Sequence, residues 1–133
     1  MNILGRLTLA AAAFATVIAA SPSFASAATP VLIKACVVTK PRLMSHNASG
    51  TQITYVIYGR KNVASVTFSV RYRNSAQNFL RTVTDVGSFA PGVTISHHFA
   101  LYNDVTYAGS HTQACIPVRV KYADATLWMA PNH

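Results

Sequence analysis

The chain has 133 residues, with 11 lysines and arginines against three acidic residues and a net charge of +8 when histidines are neutral. That length holds one domain. There is no glutamate, and Asp85, Asp104 and Asp124 stand far apart, so the composition excludes a recognisable paired-carboxylate acid/base site. The excess of positive charge points instead to anionic partners, or to a basic surface that only keeps the protein soluble.

Arg6 precedes an apolar run over 7–20, and small residues follow down to Ala25-Ser26-Ala27. This is the pattern of a secretory signal peptide cleaved after Ala27. The run of about 14 residues is short of the roughly 20 that a bilayer-spanning helix needs; an uncleaved anchor is the rival reading. The expected organisation is a signal peptide over 1–27 and one domain over 28–133, periplasmic or extracellular. Without Arg6, ten cations against three aspartates leave +7.

Strand signals fill the rest. VLIKACVV, 31–38, is a short apolar run, and 51–59 is rich in β-branched and aromatic residues. An Asn47-Ala48-Ser49 sequon lies between them. Over 65–73 the alternation is clean: Val66, Phe68, Val70 and Tyr72 on one face, with Arg71 and Arg73 among the polar residues opposite. In 78–86, Phe79, Arg81, Val83 and Asp85 oppose Leu80, Thr82, Thr84 and Val86. Gly87 to Gly92 read as turn chemistry, with Pro91-Gly92 suited to a type II turn. In 93–101, Val93, Ile95, His97, Phe99 and Leu101 share one face, leaving His98 on the other. In 115–122, Ile116, Val118, Val120 and Tyr122 share a face, with Arg119 and Lys121 opposite. TLWM, 126–129, follows an Ala123-Asp124-Ala125 turn. The remaining turn signals are at 45–50, 59–62, 73–78 and 103–110.

About seven short antiparallel strands in one domain predict an all-β, single immunoglobulin-like Greek-key sandwich, with a small barrel as the alternative. Cys36 and Cys115 are an even pair behind an export signal, which reads as a disulfide. It would tie the first strand to the sixth, and Trp128 follows both cysteines, unlike the antibody order.

The segments VTFSVRYRN, TVTDVGSFAPGVTISHHF and ACIPVRVKYADATLW together resemble those of small exported bacterial proteins with an immunoglobulin-like sandwich and no assigned activity. The resemblance covers about 36–128. It implies fold and location and brings no catalytic residues.

No nucleophile elbow, His-Glu-x-x-His zinc motif, phosphate loop or dinucleotide fingerprint occurs, and no nucleic-acid-binding signature accompanies the basic residues. The aspartates read as turn residues: Asp85 at a strand end, Asp104 in a loop and Asp124 in a hairpin. His97 reads as a core or edge histidine held by a hydrogen bond, and His98 as solvent-facing. The expectation is a non-enzymatic binding module with no cofactor, no specific nucleic acid and no defined oligomeric state. Its partner would be an anionic envelope surface or an acidic protein. Arg71, Arg73, Arg119 and Lys121 would form one basic patch if their strands share a sheet. Tyr55, Tyr58, Tyr102 and Tyr107, read as exposed aromatics beside Arg60, Lys61, Arg71 and Arg73, mark where such a partner would bind. Two alternatives stand beside this. One is a periplasmic metal-binding protein using His46, His98 and His111. The other is an accessory factor of a surface assembly whose open sheet edge accepts a donated strand.

Overall fold

The computed structural model describes residues 28–39, 49–101 and 110–131. Residues 1–27, His46, Asn47 of the sequon, Tyr102, Asp104 and Tyr107 lie outside them. The strands are β1 (Val31–Thr39), β2 (Gly50–Ile57), β3 (Val63–Asn74), β4 (Asn78–Phe89), β5 (Thr94–Ala100), β6 (His111–Tyr122) and β7 (Leu127–Met129). They form two antiparallel sheets, one in the order β1-β2-β5 and the other β4-β3-β6-β7. The described residues thus form an all-β, seven-strand sandwich. β4 pairs with β3 on the four-stranded sheet, whereas the immunoglobulin constant-type division places the fourth strand with the first, second and fifth.

The clean alternation of β3 makes it the spine of the core. Val66, Phe68, Val70 and Tyr72 point inward and are at most 1% exposed. Val66, Phe68 and Val70 meet Ile53, Tyr55 and Ile57 of β2, with Val83, Val120 and Trp128 packed around them. The Tyr55 ring meets Phe68 edge-on at 4.9 Å between centroids and Phe89 at 6.3 Å.

Register shifts at three sites interrupt this regularity, and two of the sites decide where the cysteines point. In β1 the pairing with β2 slips between Ile33 and Ala35, making Lys34 the extra residue. Simple alternation from Val31, which faces the core, would turn Cys36 to solvent. The bulge reverses the parity and turns it inward. In β6 the shift opposite Thr67 and Phe68 makes Val118 the extra residue. Alternation back from buried Val120 would likewise turn Cys115 outward, and this bulge too reverses it. The two cysteines then meet in a disulfide between the sheets, with Cα atoms 5.9 Å apart. The same bulge corrects the expected faces of this strand. Ile116 does not share the buried face of Val120; it pairs with Ser69 on the outer face and is 43% exposed. The third shift, at Ala64, lets Val63 and Val66 both face inward.

The turns follow side-chain chemistry. Between β3 and β4, Asn74 Oδ1 accepts from the Ala76 and Gln77 amides. Gly92 has φ +83°, as the third position of a type II turn requires, and its amide donates to Ile57 O. Gly87 is not part of that turn. β4 runs on to Phe89, whose ring folds back over Gly87, where a Cβ would sit 2.7 Å from Phe89 Cζ. Asp124 Oδ1 accepts from the Thr126 amide in the β6–β7 hairpin, and Asp124 Oδ2 pairs with Lys61 Nζ at 3.1 Å.

Candidate functional site

β3 and β6 are neighbours, so Arg71, Arg73, Arg119 and Lys121 share the outer face of the four-stranded sheet. They do not make one contiguous patch. Arg71 and Arg73 lie opposite Ala114 and Thr112, whereas Arg119 and Lys121 lie opposite Thr67 and Ser65. Arg71 and the Thr67 partner of Arg119 are thus four residues apart along β3, about 13 Å at strand rise, which exceeds a physiological Debye length of about 8 Å. The face has two cationic ends.

Small and apolar side chains fill the space between them. Ser69, Arg71, Leu80, Thr82, Ala114, Ile116 and Val118 line a shallow depression of about 500 Å³. It exists because Ser69, Thr82 and Ala114 are small where their neighbours Leu80, Ile116 and Val118 are large. Leu80, Val86, Leu127 and Met129 stand on the same face, 52–75% exposed. No aromatic side chain of the described strands projects from this face. Among the described residues no carboxylate does either: Asp124 pairs with Lys61 at the hairpin, and Asp85 is buried.

The burial of Asp85 corrects its reading as a strand-end residue. In β4 the inward set is Val83 and Asp85, and the outward set is Leu80 and Val86. The aspartate is 1% exposed. Its Oδ2 accepts from the Tyr55 hydroxyl and its Oδ1 from His97 Nδ1, both at 2.8 Å. Tyr55 belongs to β2 and His97 to β5, so the carboxylate links the two sheets on the β4/β5 side, while the disulfide links β1 to β6. Burial, and then the neighbouring Asp85 carboxylate, push the Tyr55 phenol far above its ordinary value near 10. Tyr55 is therefore a core residue, 0% exposed, and cannot belong to an exposed aromatic surface; Tyr58 is 52% exposed. Lys61 is committed to Asp124 and lies over the Tyr122 ring at 5.1 Å.

The histidines fall as alternation dictates. His97 faces inward with Ile95 and Phe99, stacked on Phe99 at 4.6 Å, yet its side chain is 50% exposed because β5 is an edge strand. His98 faces the other way and shares a hydrogen bond with Thr39 Oγ1 at 2.7 Å. His111 begins β6 in the opposite sheet and stacks on Tyr72. The structure does not bring His98 and His111 together, and among the described residues no three His, Cys, Asp or Glu side chains gather in metal-binding geometry.

Sequence reasoning found the cations and missed the aliphatic half of their face. The signal was the alternation of β4, which forced a choice between exposing Asp85 and exposing Leu80 and Val86. No family model matches the chain, and neither a curated protein nor a solved structure shows significant similarity to it.

Proposed function

We propose that this chain is an exported, non-catalytic interaction module that binds an anionic partner through the outer face of its four-stranded sheet. The observation that supports this most directly is the placement of Arg71, Arg73, Arg119 and Lys121 on one face where, among the described residues, no carboxylate neutralises them. Such a face draws anions from solution and holds them by screened Coulomb attraction. The export reading rests on the signal-like pattern over 1–27 and agrees with a disulfide, which persists in oxidising compartments.

The test is retention on an immobilised polyanion, eluted by a salt gradient. The disulfide-bonded protein is compared with a variant carrying Arg71→Ser, Arg73→Ser, Arg119→Ser and Lys121→Ser. A control carries Lys34→Ser and Arg81→Ser, cations away from this face. The four-site variant should elute at clearly lower salt than the control. Equal elution of the two, after allowance for the two additional charges removed, rejects the assignment of this face.

A further inference from the structure

We infer that the anionic partner of this face is a lipid bilayer surface rich in acidic headgroups. The inference rests on the proposed anion-binding role of the face and adds the identity of what carries the anions. A face built only for a soluble polyanion needs cations and hydrogen-bond donors. This one sets Leu80 and Ile116 in the stretch between its two cationic ends and flanks the Arg119 and Lys121 end with Val86, Leu127 and Met129. Val86 is 75% exposed, Met129 61%, Leu80 56%, Leu127 52% and Ile116 43%. All five stand on the outer side of β4, β6 and β7, in the same sheet as the four cations.

The chemistry of the face selects among occupants. Single-stranded nucleic acid and planar ligands are held by aromatic platforms, and the described strands place none here. A second copy of the chain would bring four further cations against the first four, with no carboxylate among the described residues of either face to offset them. An acidic lipid surface satisfies both halves of the pattern. Headgroup phosphates meet the cations, and aliphatic tips enter the boundary between headgroups and acyl chains, as on peripheral proteins that lie on a membrane. The depression between Leu80 and Ile116, floored by Ser69 and Thr82 beside Arg71, offers the phosphate end of one headgroup a guanidinium and two hydroxyls. Each cation near an anionic membrane strengthens binding roughly five-fold, so the four together supply between two and three powers of ten.

The experiment is co-sedimentation of the purified disulfide-bonded protein with phosphatidylcholine vesicles and with vesicles of phosphatidylcholine mixed with phosphatidylglycerol. Retention on the immobilised polyanion is measured in parallel. Two variants are compared: Arg71→Ser with Arg73→Ser, and Leu127→Ser with Met129→Ser. Both change exposed side chains, whose replacement is mild for folding, and unchanged urea unfolding confirms it. The expected result is binding to the mixed vesicles and little to phosphatidylcholine alone, weakened by salt. The arginine variant should lose roughly twenty-fold on vesicles and also elute earlier from the polyanion. The aliphatic variant should lose vesicle binding by about ten-fold while its polyanion elution stays put. Polyanion retention without vesicle binding overturns the lipid assignment and leaves the anion-binding role standing. Vesicle binding that ignores the aliphatic variant also overturns it, because the attraction is then purely electrostatic. Absence of both vesicle binding and polyanion retention in the unsubstituted protein overturns both readings, and concentration-dependent dimerisation abolished by Leu127→Ser and Met129→Ser assigns the face to a second copy.

Discussion

Asp85→Ala is the most informative single perturbation of this fold. The carboxylate is buried, its side chain 2% exposed, and it accepts from Tyr55 Oη and His97 Nδ1 at 2.8 Å each. Truncation affects the two donors differently. His97 has half its side chain in solvent, so water replaces its partner at little cost. Tyr55 is 0% exposed, so its hydroxyl stays buried without an acceptor. A hydrogen bond to a charged group is worth about 1.5–3 kcal/mol, and a stranded buried donor costs about 1–3 kcal/mol; the terms overlap, so Asp85→Ala should cost about 2–4 kcal/mol. Asp85→Asn should cost less, under about 1.5 kcal/mol. The amide oxygen still accepts from Tyr55, and the amide nitrogen donates to His97 Nδ1 once the ring proton sits on Nε2. Tyr55→Phe keeps the ring contacts with Phe68 and Phe89 and removes only the hydroxyl. The assay is urea unfolding of the four proteins of the Asp85→Ala/Tyr55→Phe cycle, with a coupling energy of about 1.5–3 kcal/mol expected. The pH arm follows from the raised phenol of Tyr55. Its folded value exceeds the unfolded value near 10, so the stabilisation is complete below pH 10. It erodes above pH 10 by about 1.4 kcal/mol per pH unit, as the unfolded chain releases a proton that the folded one retains. Tyr55→Phe should remove that increment of slope. A loss under about 0.5 kcal/mol for Asp85→Ala, or additive single variants, would refute the reasoning.

Cys115→Ala should lower stability by about 4.5 kcal/mol from loop closure over 79 positions, read as a drop in urea midpoint, and non-reducing peptide mapping should recover Cys36 linked to Cys115. Gly50→Ala should destabilise by at least about 2 kcal/mol, because a Cβ there meets the backbone carbonyl of Phe99 on paired β5 and the strands must part; unchanged thermal unfolding would show that β2 and β5 are not this close. The Asp124 carboxyl should titrate by NMR at about 2, held down first by the Thr126 hydroxyl, then by the Thr126 amide and Lys61. Its stabilising effect is present above the unfolded value of 3.8 and lost as pH falls through about 2, and Thr126→Val should move the midpoint upward. Intact-mass analysis of exported protein should give a chain beginning at or near Ala28, and retention of residues 1–20 would end the signal-peptide reading.

Local periodicity was enough to reveal the strands and the inward face of β3. Val66, Phe68, Val70 and Tyr72 announce their burial by a period of two that no neighbour disturbs. Pro91-Gly92 and Asp124 announce their turns by chemistry that acts within three residues. The cysteine pairing, too, was legible, since two thiols behind a signal-like sequence have one intramolecular partner each. Tertiary structure decided what depends on a partner strand. A bulge is a mismatch between two strands, so no single-strand pattern shows that Lys34 and Val118 each reverse parity, turn Cys36 and Cys115 inward and leave Ile116 outside. The alternation of β4 marked its two faces without saying which was the core. The buried hydroxyl of Tyr55, from the other sheet, gives Asp85 a partner inside, and Leu80 and Val86 then have nowhere to face but outward. The separation of the cations into two ends of one face has the same origin, because register between β3 and β6, and not spacing along either, sets the distance from Arg71 to Arg119.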